Sequence, residues 1–279
     1  MIVGGIVLYN PNIGILKENI KSIYSQVYRL VLIDNNSNIE IRNEVIKLIR
    51  LYENIRIIQN DKNEGIAKAL NQVMEFAESI NAEWAITLDQ DSVCPPNLIA
   101  TYEKYTNLAD VAIITPVIID RNDRTRDYNT SYDHQEIERC ITSAALNNIK
   151  VWRNVGKFDE KMFIDFVDFE YSYRVREYGY KILRINKINL LHRLGDLKIK
   201  YIGKKKICVG NHNALRKYYY VKNACYCHRR HKILYPAKSM IFDICKLTIK
   251  IILYENEKKQ KLRHVVKGIK DGLVIPINR

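Results

Sequence analysis

The chain has 279 residues, 47% of them hydrophobic and 27% charged, proportions of a globular protein that exclude a disordered or collagenous one. Its formal charge of +14 is unevenly placed: residues 196–279 hold 21 Lys and Arg against 5 Asp and Glu, whereas residues 1–195 hold 24 against 26. A basic end on a neutral body points to attachment at an anionic surface, because nucleic-acid binders usually spread basic residues over a reading surface.

Cysteines at 94, 140, 208, 225, 227 and 245 show no regular framework, and a chain of this length does not need disulfides to fold, so a reducing compartment is expected. Met1 to Pro11 has no basic leader region, and no stretch offers ~18 uninterrupted apolar residues. A cytoplasmic protein with no membrane span follows as the expectation.

Ile2 to Tyr9 is an apolar run ended by Asn10-Pro11 and reads as a buried parallel strand. Ile15 to Tyr24 has helical spacing. Arg29 to Asp34 is a second strand ending in a carboxylate, followed by Asn35-Asn36-Ser37 and a helix around Ile41 to Tyr52. Ile55 to Gln59 is a third strand, Ile66 to Ser79 a third helix, and Trp84 to Leu88 a fourth strand closed by Asp89-Gln90-Asp91. This alternation implies an α/β fold: a mainly parallel sheet with helices on both faces.

Ligands of such sheets bind beyond the carboxyl ends of the strands. Three strands here end in polar clusters, Tyr9-Asn10, Asp34 to Ser37 and Asp89 to Asp91. Asn, Asp and Ser are ordinary turn formers, so any one cluster alone reads as a turn; together they mark one edge of one sheet. Carboxylates at i and i+2 directly after a strand can share a divalent cation, and Mg²⁺ or Mn²⁺ would complete its shell with substrate phosphates.

The motifs Val7-Leu-Tyr-Asn-Pro11, Asp34-Asn-Asn-Ser37, Asn60-x-x-Asn63-x-Gly65-Ile-Ala-x-Ala-Leu-Asn71 and Asp89-Gln-Asp91-Ser92 resemble those of the family 2 glycosyltransferases, inverting enzymes of the GT-A (Rossmann-like) fold. Phe163-Ile-Asp165-x-Val-Asp168-x-Glu170-x-x-x-Arg174, His192-x-x-Gly195-Asp196 and His212-x-x-x-Arg216-x-Tyr-Tyr-Tyr220-x-x-Asn223 are similar to signatures of its rhamnosyltransferase-like branch. The match covers roughly residues 2–225, implying a catalytic domain over 1–225 and a basic helical tail over 226–279.

The resemblance implies a nucleotide-sugar donor, dTDP- or UDP-linked, bound by Tyr9, Asn10, Asp34, Asn36, Asn63, Gly65, Lys68, Asp89 and Gln90. It implies a divalent cation, Mg or Mn, at Asp91 and His192, a catalytic base at Asp168, and an acceptor side near Ser143, Asp165, Glu170 and Arg174. The acceptor would be a glycan or lipid-linked oligosaccharide. Thr142-Ser143-Ala144 stands where the family usually has a Ser-Gly pair, so this loop can differ in shape, and the loop around Asp120 to Asp133 is a second acceptor-side candidate.

Independently of family, a helix over Asp165 to Tyr178 would put Asp168 near its start, where the dipole keeps a carboxylate ionised, and Glu170 and Arg174 at i, i+4. His192 after the apolar run Ile188 to Leu191 reads equally as a ligand or a satisfied surface histidine. Cys225-x-Cys227-His228 with His231 lacks the paired spacing of structural zinc sites and is assigned to packing.

Ser239 to Leu253 reads as an amphipathic helix with Asp243, Lys246 and Lys250 on one face, followed by Lys258, Lys259, Lys261, Arg263, Lys267 and Lys270. It either packs on the catalytic domain or lies at the inner face of the cell membrane, where an apolar face and a polybasic patch act together. Two other classes compete. A nucleotidyltransferase would need a glycine-rich basic loop after the first strand, where this chain has Asn10-Pro-Asn-Ile-Gly14. A nucleic-acid-binding module would use the tail and some of the nineteen tyrosines, but Tyr218 to Tyr220 fall inside a family motif, and no nucleic-acid partner is expected.

Overall fold

The computed structural model describes residues 1–120, 132–192, 197–202 and 205–277, with the backbone alone at 120, 192, 197–202 and 205–209. The chain divides into two compact units, Met1–Lys161 with Tyr171–Arg193, and Met162–Glu170 with Leu194–Arg279.

In the first unit, β1 (Ile2–Leu8) is buried at all seven positions. Alternate side chains of a strand point to opposite faces. On one face Ile6 and Leu8 join Leu16, Ile20 and Ile23 of α1 (Ile13–Tyr24) in the core. On the other, Gly5 leaves space for Val73 of α3 (Ile66–Ser79): a Cβ on Gly5 would collide with that side chain. Helices therefore cover both faces of β1, as expected. Asn12 caps α1 by accepting from Ile15 N at 3.1 Å, which starts the helix two residues before the expected Ile15. α2 (Ile39–Ile49) buries Val45 and Leu48.

Eight strands form one sheet in the order β3-β2-β1-β4-β7-β5-β8-β6. Here β2 is Arg29–Asp34, β3 Ile55–Gln59, β4 Trp84–Asp89, β5 Val111–Asp120, β6 His134–Glu136, β7 Ala145–Asn148 and β8 Lys181–His192. The block β3-β2-β1-β4 is parallel, and the strand order reverses at β1/β4, the switch point where doubly wound sheets bind ligands. The sheet departs from the parallel expectation at β7, which runs antiparallel between β4 and β5, and at β6, antiparallel to β8. β7 enters through Ala144, whose φ of 57° reverses the chain, and Ala144 N donates to Thr87 O at 2.8 Å. Among the described residues no helix lies between β5 and β7, in keeping with an antiparallel pairing. Short α4 (Leu98–Glu103) and α5 (Ile149–Asn154) complete this unit together with most of α6 (Val167–Glu177).

The second unit contains the first turn of α6, a hairpin of β9 (Leu197–Ile202) and β10 (Lys205–Gly210), and helices α7 (Ala214–Arg230), α8 (Ala237–Tyr254) and α9 (Lys258–Val274). α7 runs unbroken through residue 225, where the domain boundary was expected. Val221 and Cys225 of α7, Ile251 of α8 and Val265 of α9 form its core. α9 lies close against α7 because Gly268 and Gly272 face the α7 backbone; a Cβ on Gly268 would stand 2.7 Å from Tyr218 O. Among the described residues, no helix is long and apolar enough to cross a membrane.

Candidate active site

Register decides which polar clusters of the first unit meet. Leu8 pairs with Asp34 and Val7 with Asp89, so both carboxylates flank the end of β1. Asp34 is 2% exposed; its Oδ1 accepts from Ser37 N at 3.0 Å and its Oδ2 from Arg42 Nε at 2.9 Å. Arg42, on the first turn of α2, also donates to Asn36 Oδ1 at 3.2 Å, and Asn36 holds a left-handed φ of 66°. The turn from Asp34 to Ser37 is thus clamped from outside by a guanidinium. Ser37 Oγ accepts from Asn10 N at 2.8 Å and Asn10 Oδ1 from Asn38 N at 2.8 Å, tying the ends of β1 and β2 together.

Buried Asn35 organises the neighbouring segment. Its Nδ2 donates to Asn63 Oδ1 at 3.0 Å and Gly65 O at 3.2 Å, and its Oδ1 accepts from Asn60 Nδ2 at 3.1 Å and Glu64 N at 2.9 Å. All of its side-chain hydrogen-bonding capacity is turned inward, so Asn35 shapes the site while Asp34 and Asn36 border it. Gly65 precedes α3 with φ of 84°, a conformation glycine adopts freely. Lys68 Nζ lies 3.3 Å from Glu160 Oε1, on the first turn of that helix.

Asp89, Gln90 and Asp91 are half-buried at the end of β4. Gln90 Oε1 accepts from the exposed Tyr9's N at 2.9 Å, joining the ends of β4 and β1. Asp89 O accepts from Asn19 Nδ2 at 2.7 Å and from Ser92 N at 3.1 Å, which fixes the turn carrying Asp91. Ser92 Oγ and Ser143 Oγ are 2.5 Å apart and both residues are buried, so Ser143 braces the acidic turn from behind. Two half-buried carboxylates at a strand end suit a hard cation that takes its remaining ligands from substrate oxygens. Among the described residues, no group of three His, Cys, Asp or Glu converges on a metal position. The backbone of His192 ends β8, opposite Asp120; its side chain lies outside the described residues, as do 121–131 of the expected acceptor loop and Gly195-Asp196.

Asp165, Asp168 and Glu170 belong to the second unit. Asp165 and Phe166 both hold left-handed backbones, φ 63° and 66°, immediately before α6. Asn223 of α7, fully buried, donates from Nδ2 to the carbonyls of Ile164 and Asp165 at 2.9 Å each. Arg216 of α7 forks onto the Asp165 carboxylate at 3.0–3.3 Å. Phe166 packs its ring among Phe169, Tyr220 and Tyr235. Those contacts hold a turn that would otherwise relax. Asp168 is the second residue of α6, half-buried, and its Oδ1 accepts from Phe169 N at 2.9 Å.

Glu170 is fully buried, with Arg230 Nε at 3.3 Å and His231 Nε2 at 3.2 Å. Arg174, in the first unit and 3% exposed, donates from Nη1 to Val155 O at 2.7 Å. Both side chains are built into the interior of their units. Cys225 and Cys227 are buried in α7; burial pushes the Cys225 thiol up to about 11, so it is an inert packing thiol at neutral pH.

Arg42, which braces Asp34, lies in none of the motifs, and Asn223 is named in one without any sign of the turn it holds. Arg42 stands eight residues beyond its carboxylate on a separate helix, and Asn223 reaches a turn 58 residues away. The trace each leaves in sequence is a polar side chain inside an element that otherwise packs.

A doubly wound sheet with two carboxylates and a clamped polar turn at its switch point has the arrangement of α/β proteins that bind ligands beyond their strand ends. Comparison with known proteins narrows this class. The family model described as glycosyl transferase family 2 matches residues 5–168. A dTDP-rhamnosyl transferase, RfbF of Shigella flexneri, is 28% identical over 96% of this chain and 94% of its own length. Among solved structures, GalNAc-T7 with UDP, GalNAc and Mn²⁺ shares the fold at a TM-score of 0.65 and 16% identity, matching 98% of this chain and 56% of that one. The mannosyltransferase PcManGT of Pyrobaculum calidifontis, with GDP-Man and Mn²⁺, aligns at a TM-score of 0.60 and 11% identity, over 98% of this chain and 87% of its own. S. aureus TarS 1-349 aligns at 0.62 and 11%, over 98% and 81%. The chain belongs to glycosyl transferase family 2: it is a glycosyltransferase of GT-A fold, similar to a rhamnosyltransferase along nearly its whole length.

Proposed function

We propose that this enzyme transfers rhamnose from dTDP-rhamnose, with inversion, to a hydroxyl of a cell-surface polysaccharide or lipid-linked oligosaccharide. The observation that carries the reading is the register that sets Asp34 and Asp89 on either side of the β1 end, with Asp91 two residues further on. The rhamnosyl assignment draws on the full-length likeness to the dTDP-rhamnosyl transferase.

Each residue then has a task. Asp34, held by Arg42 and Ser37, presents a fixed edge to the nucleoside, and Tyr9, Asn10, Asn36, Asn63, Gly65, Lys68 and Gln90 are the other donor contacts of this reading. Asp89 faces the ribose. Asp91, with His192, would hold Mg²⁺ or Mn²⁺, which supplies Lewis-acid stabilisation to the departing diphosphate. Asp168 takes the proton of the acceptor hydroxyl as it attacks the anomeric carbon; a positioned base contributes about 10²–10⁴-fold. Asp165, Glu170, Arg174 and Ser143 act as positioning residues. α8 and α9 bring the enzyme to the inner face of the cell membrane. The exposed Ile241, Phe242, Ile249, Ile252 and Leu253 of α8 and the basic α9 support that placement.

Thermal stability with dTDP, UDP, GDP or CDP, each with and without Mn²⁺, tests the donor. A ligand at ~100 times its dissociation constant adds about 2.7 kcal/mol. A metal-dependent shift with dTDP that Asp91→Ala abolishes is expected; a shift with UDP alone would move the donor to a UDP-sugar. Asp168→Asn should bind dTDP normally and lose transfer, and an active Asp168→Asn enzyme would refute the base assignment.

A further inference from the structure

The second unit contains a cavity of about 360 Å³ that the donor chemistry does not use. His212, Arg216 and Lys217 line it from the start of α7, and Lys246 and Lys250 from α8. Among the described residues, three carboxylates share the lining. Asp165 receives the fork of Arg216. Asp243 accepts from Tyr235 Oη at 2.8 Å. Glu255, 1% exposed at its side chain, lies between two buried ammoniums, Lys217 Nζ at 2.6 Å and Lys261 Nζ at 2.9 Å. One carboxylate cannot neutralise two lysines, so this triad leaves one positive charge buried at the cavity wall. Among the described residues, Arg216, Lys217 and Lys246 with Lys261 behind the wall outnumber the three carboxylates by one, and Lys250 adds a further ammonium to the lining.

A polar cavity with an excess buried cation favours an anion, and phosphate oxygens suit both lysine and guanidinium donors. His212 agrees with this field. Its pKa is lowered by burial and by Arg216 and Lys217, so at neutral pH it is an uncharged partner to a phosphate oxygen.

The neighbouring arc of α8 is apolar. At 3.6 residues per turn, Phe242, Ile249 and Leu253 fall beside the arc of Lys246 and Lys250, and all three are more than half exposed. Lys246 Nζ sits 5.9 Å from the centre of the Phe242 ring, joining the two arcs. A ligand with an anionic head and a hydrocarbon chain would satisfy both.

We propose that this cavity binds the phosphate or diphosphate head of a lipid-linked molecule, whose chain leaves along the exposed apolar arc of α8. The identification of that lipid as the sugar acceptor rests on the glycosyltransferase reading above; the binding site itself does not.

The test is calorimetric titration of the full-length protein with farnesyl diphosphate, inorganic pyrophosphate and farnesol, with dTDP and Mn²⁺ saturating the donor site. Farnesyl diphosphate should bind at least about tenfold more tightly than pyrophosphate, and farnesol should not bind measurably. The double variant Lys246→Ala/Lys250→Ala should lose at least about tenfold, as expected for charged hydrogen bonds, while keeping the thermal shift with dTDP that shows it folded. Unchanged affinity in that variant overturns the site, and so does loss of binding in Asp91→Ala, which would put the ligand in the donor site. Equal affinity for pyrophosphate overturns the lipid assignment and makes free phosphate the occupant. Farnesyl diphosphate binding without any dTDP shift would sink the donor reading and leave this cavity standing.

Discussion

Truncating Asn223 to Ala separates the turn that carries Asp168 from the helix that holds it. Asp165 and Phe166 sit at φ of 63° and 66°. Each non-glycine residue there costs about 1–2 kcal/mol, so the turn stores roughly 2–4 kcal/mol. Asn223 Nδ2 offsets it with two hydrogen bonds of 2.9 Å, together worth about 1–3 kcal/mol. The two quantities are of one order, so losing both donors leaves the Arg216–Asp165 pair and the Phe166 ring contacts to hold the strain alone. Stability in urea should fall by about 1–3 kcal/mol. Turnover should fall further than the folded fraction, by roughly tenfold, because a relaxed turn displaces the proposed base; displacements of 1 Å cost about 10²-fold in the extreme. The dTDP-induced thermal shift should persist, since Asp34 and Asp89 belong to the other unit. Wild-type turnover in a variant that has lost stability would refute the link between this turn and the chemistry, and loss of dTDP binding would show that the effect is not local.

Three further perturbations follow from the same contacts. Glu255→Gln leaves Lys217 and Lys261 buried without a carboxylate, and breaking such a pair costs about 3–5 kcal/mol. Burial already lowers the Lys217 pKa, and the variant lowers it further below the unfolded value of ~10.4; the unfolded state then binds more protons, so urea stability should rise with pH across that window. A variant as stable as wild type at pH 6 refutes the triad. Gly272→Leu would drive a Cβ into Lys222 O and Cys225 Cβ, so α9 should detach from α7, with a loss of about 1–3 kcal/mol or more and early proteolysis after α8. Asp34→Ala frees Arg42 and Ser37 N and should weaken dTDP binding at least about tenfold by calorimetry, with an unaltered Kd the refuting result.

Arg29–Asp34, Ile55–Gln59 and Ile66–Ser79 fold over the residues their patterns predict, because each apolar run is bounded by Asn, Asp or Gly, residues that end elements for local reasons. β7 had no such legibility. Its four residues, Ala-Leu-Asn-Asn, have no strand signature, and they are extended because β4 and β5 offer hydrogen bonds on both sides. β5 is obscured by Pro116, beside which the register with β8 shifts. α7 is too polar to announce its buried side, because Val221, Ala224, Cys225 and Tyr226 share the helix with Arg216, Lys217, Lys222 and the basic run His228-Arg229-Arg230.

The site divides along the same line. Asp34, Asp89 and Asp91 could be read because a carboxylate at a strand end is a local arrangement, and the parallel register carries it to the switch point without further information. Arg216 and Asn223 stand in a family motif that does not say what they hold, and Arg42 stands in none; their contacts act across distance in the chain, Arg216 and Asp165 being 51 positions apart. A buried polar group must be satisfied, so an Asn among Val221, Ala224 and Cys225 is evidence of an obligation. Sequence states that obligation without its address, and the address is what turns a strained turn into a fixed position for Asp168. Strand-end carboxylates are therefore legible before the residues that brace them, and variants of those bracing residues are the sharper test of how the proposed site is held together.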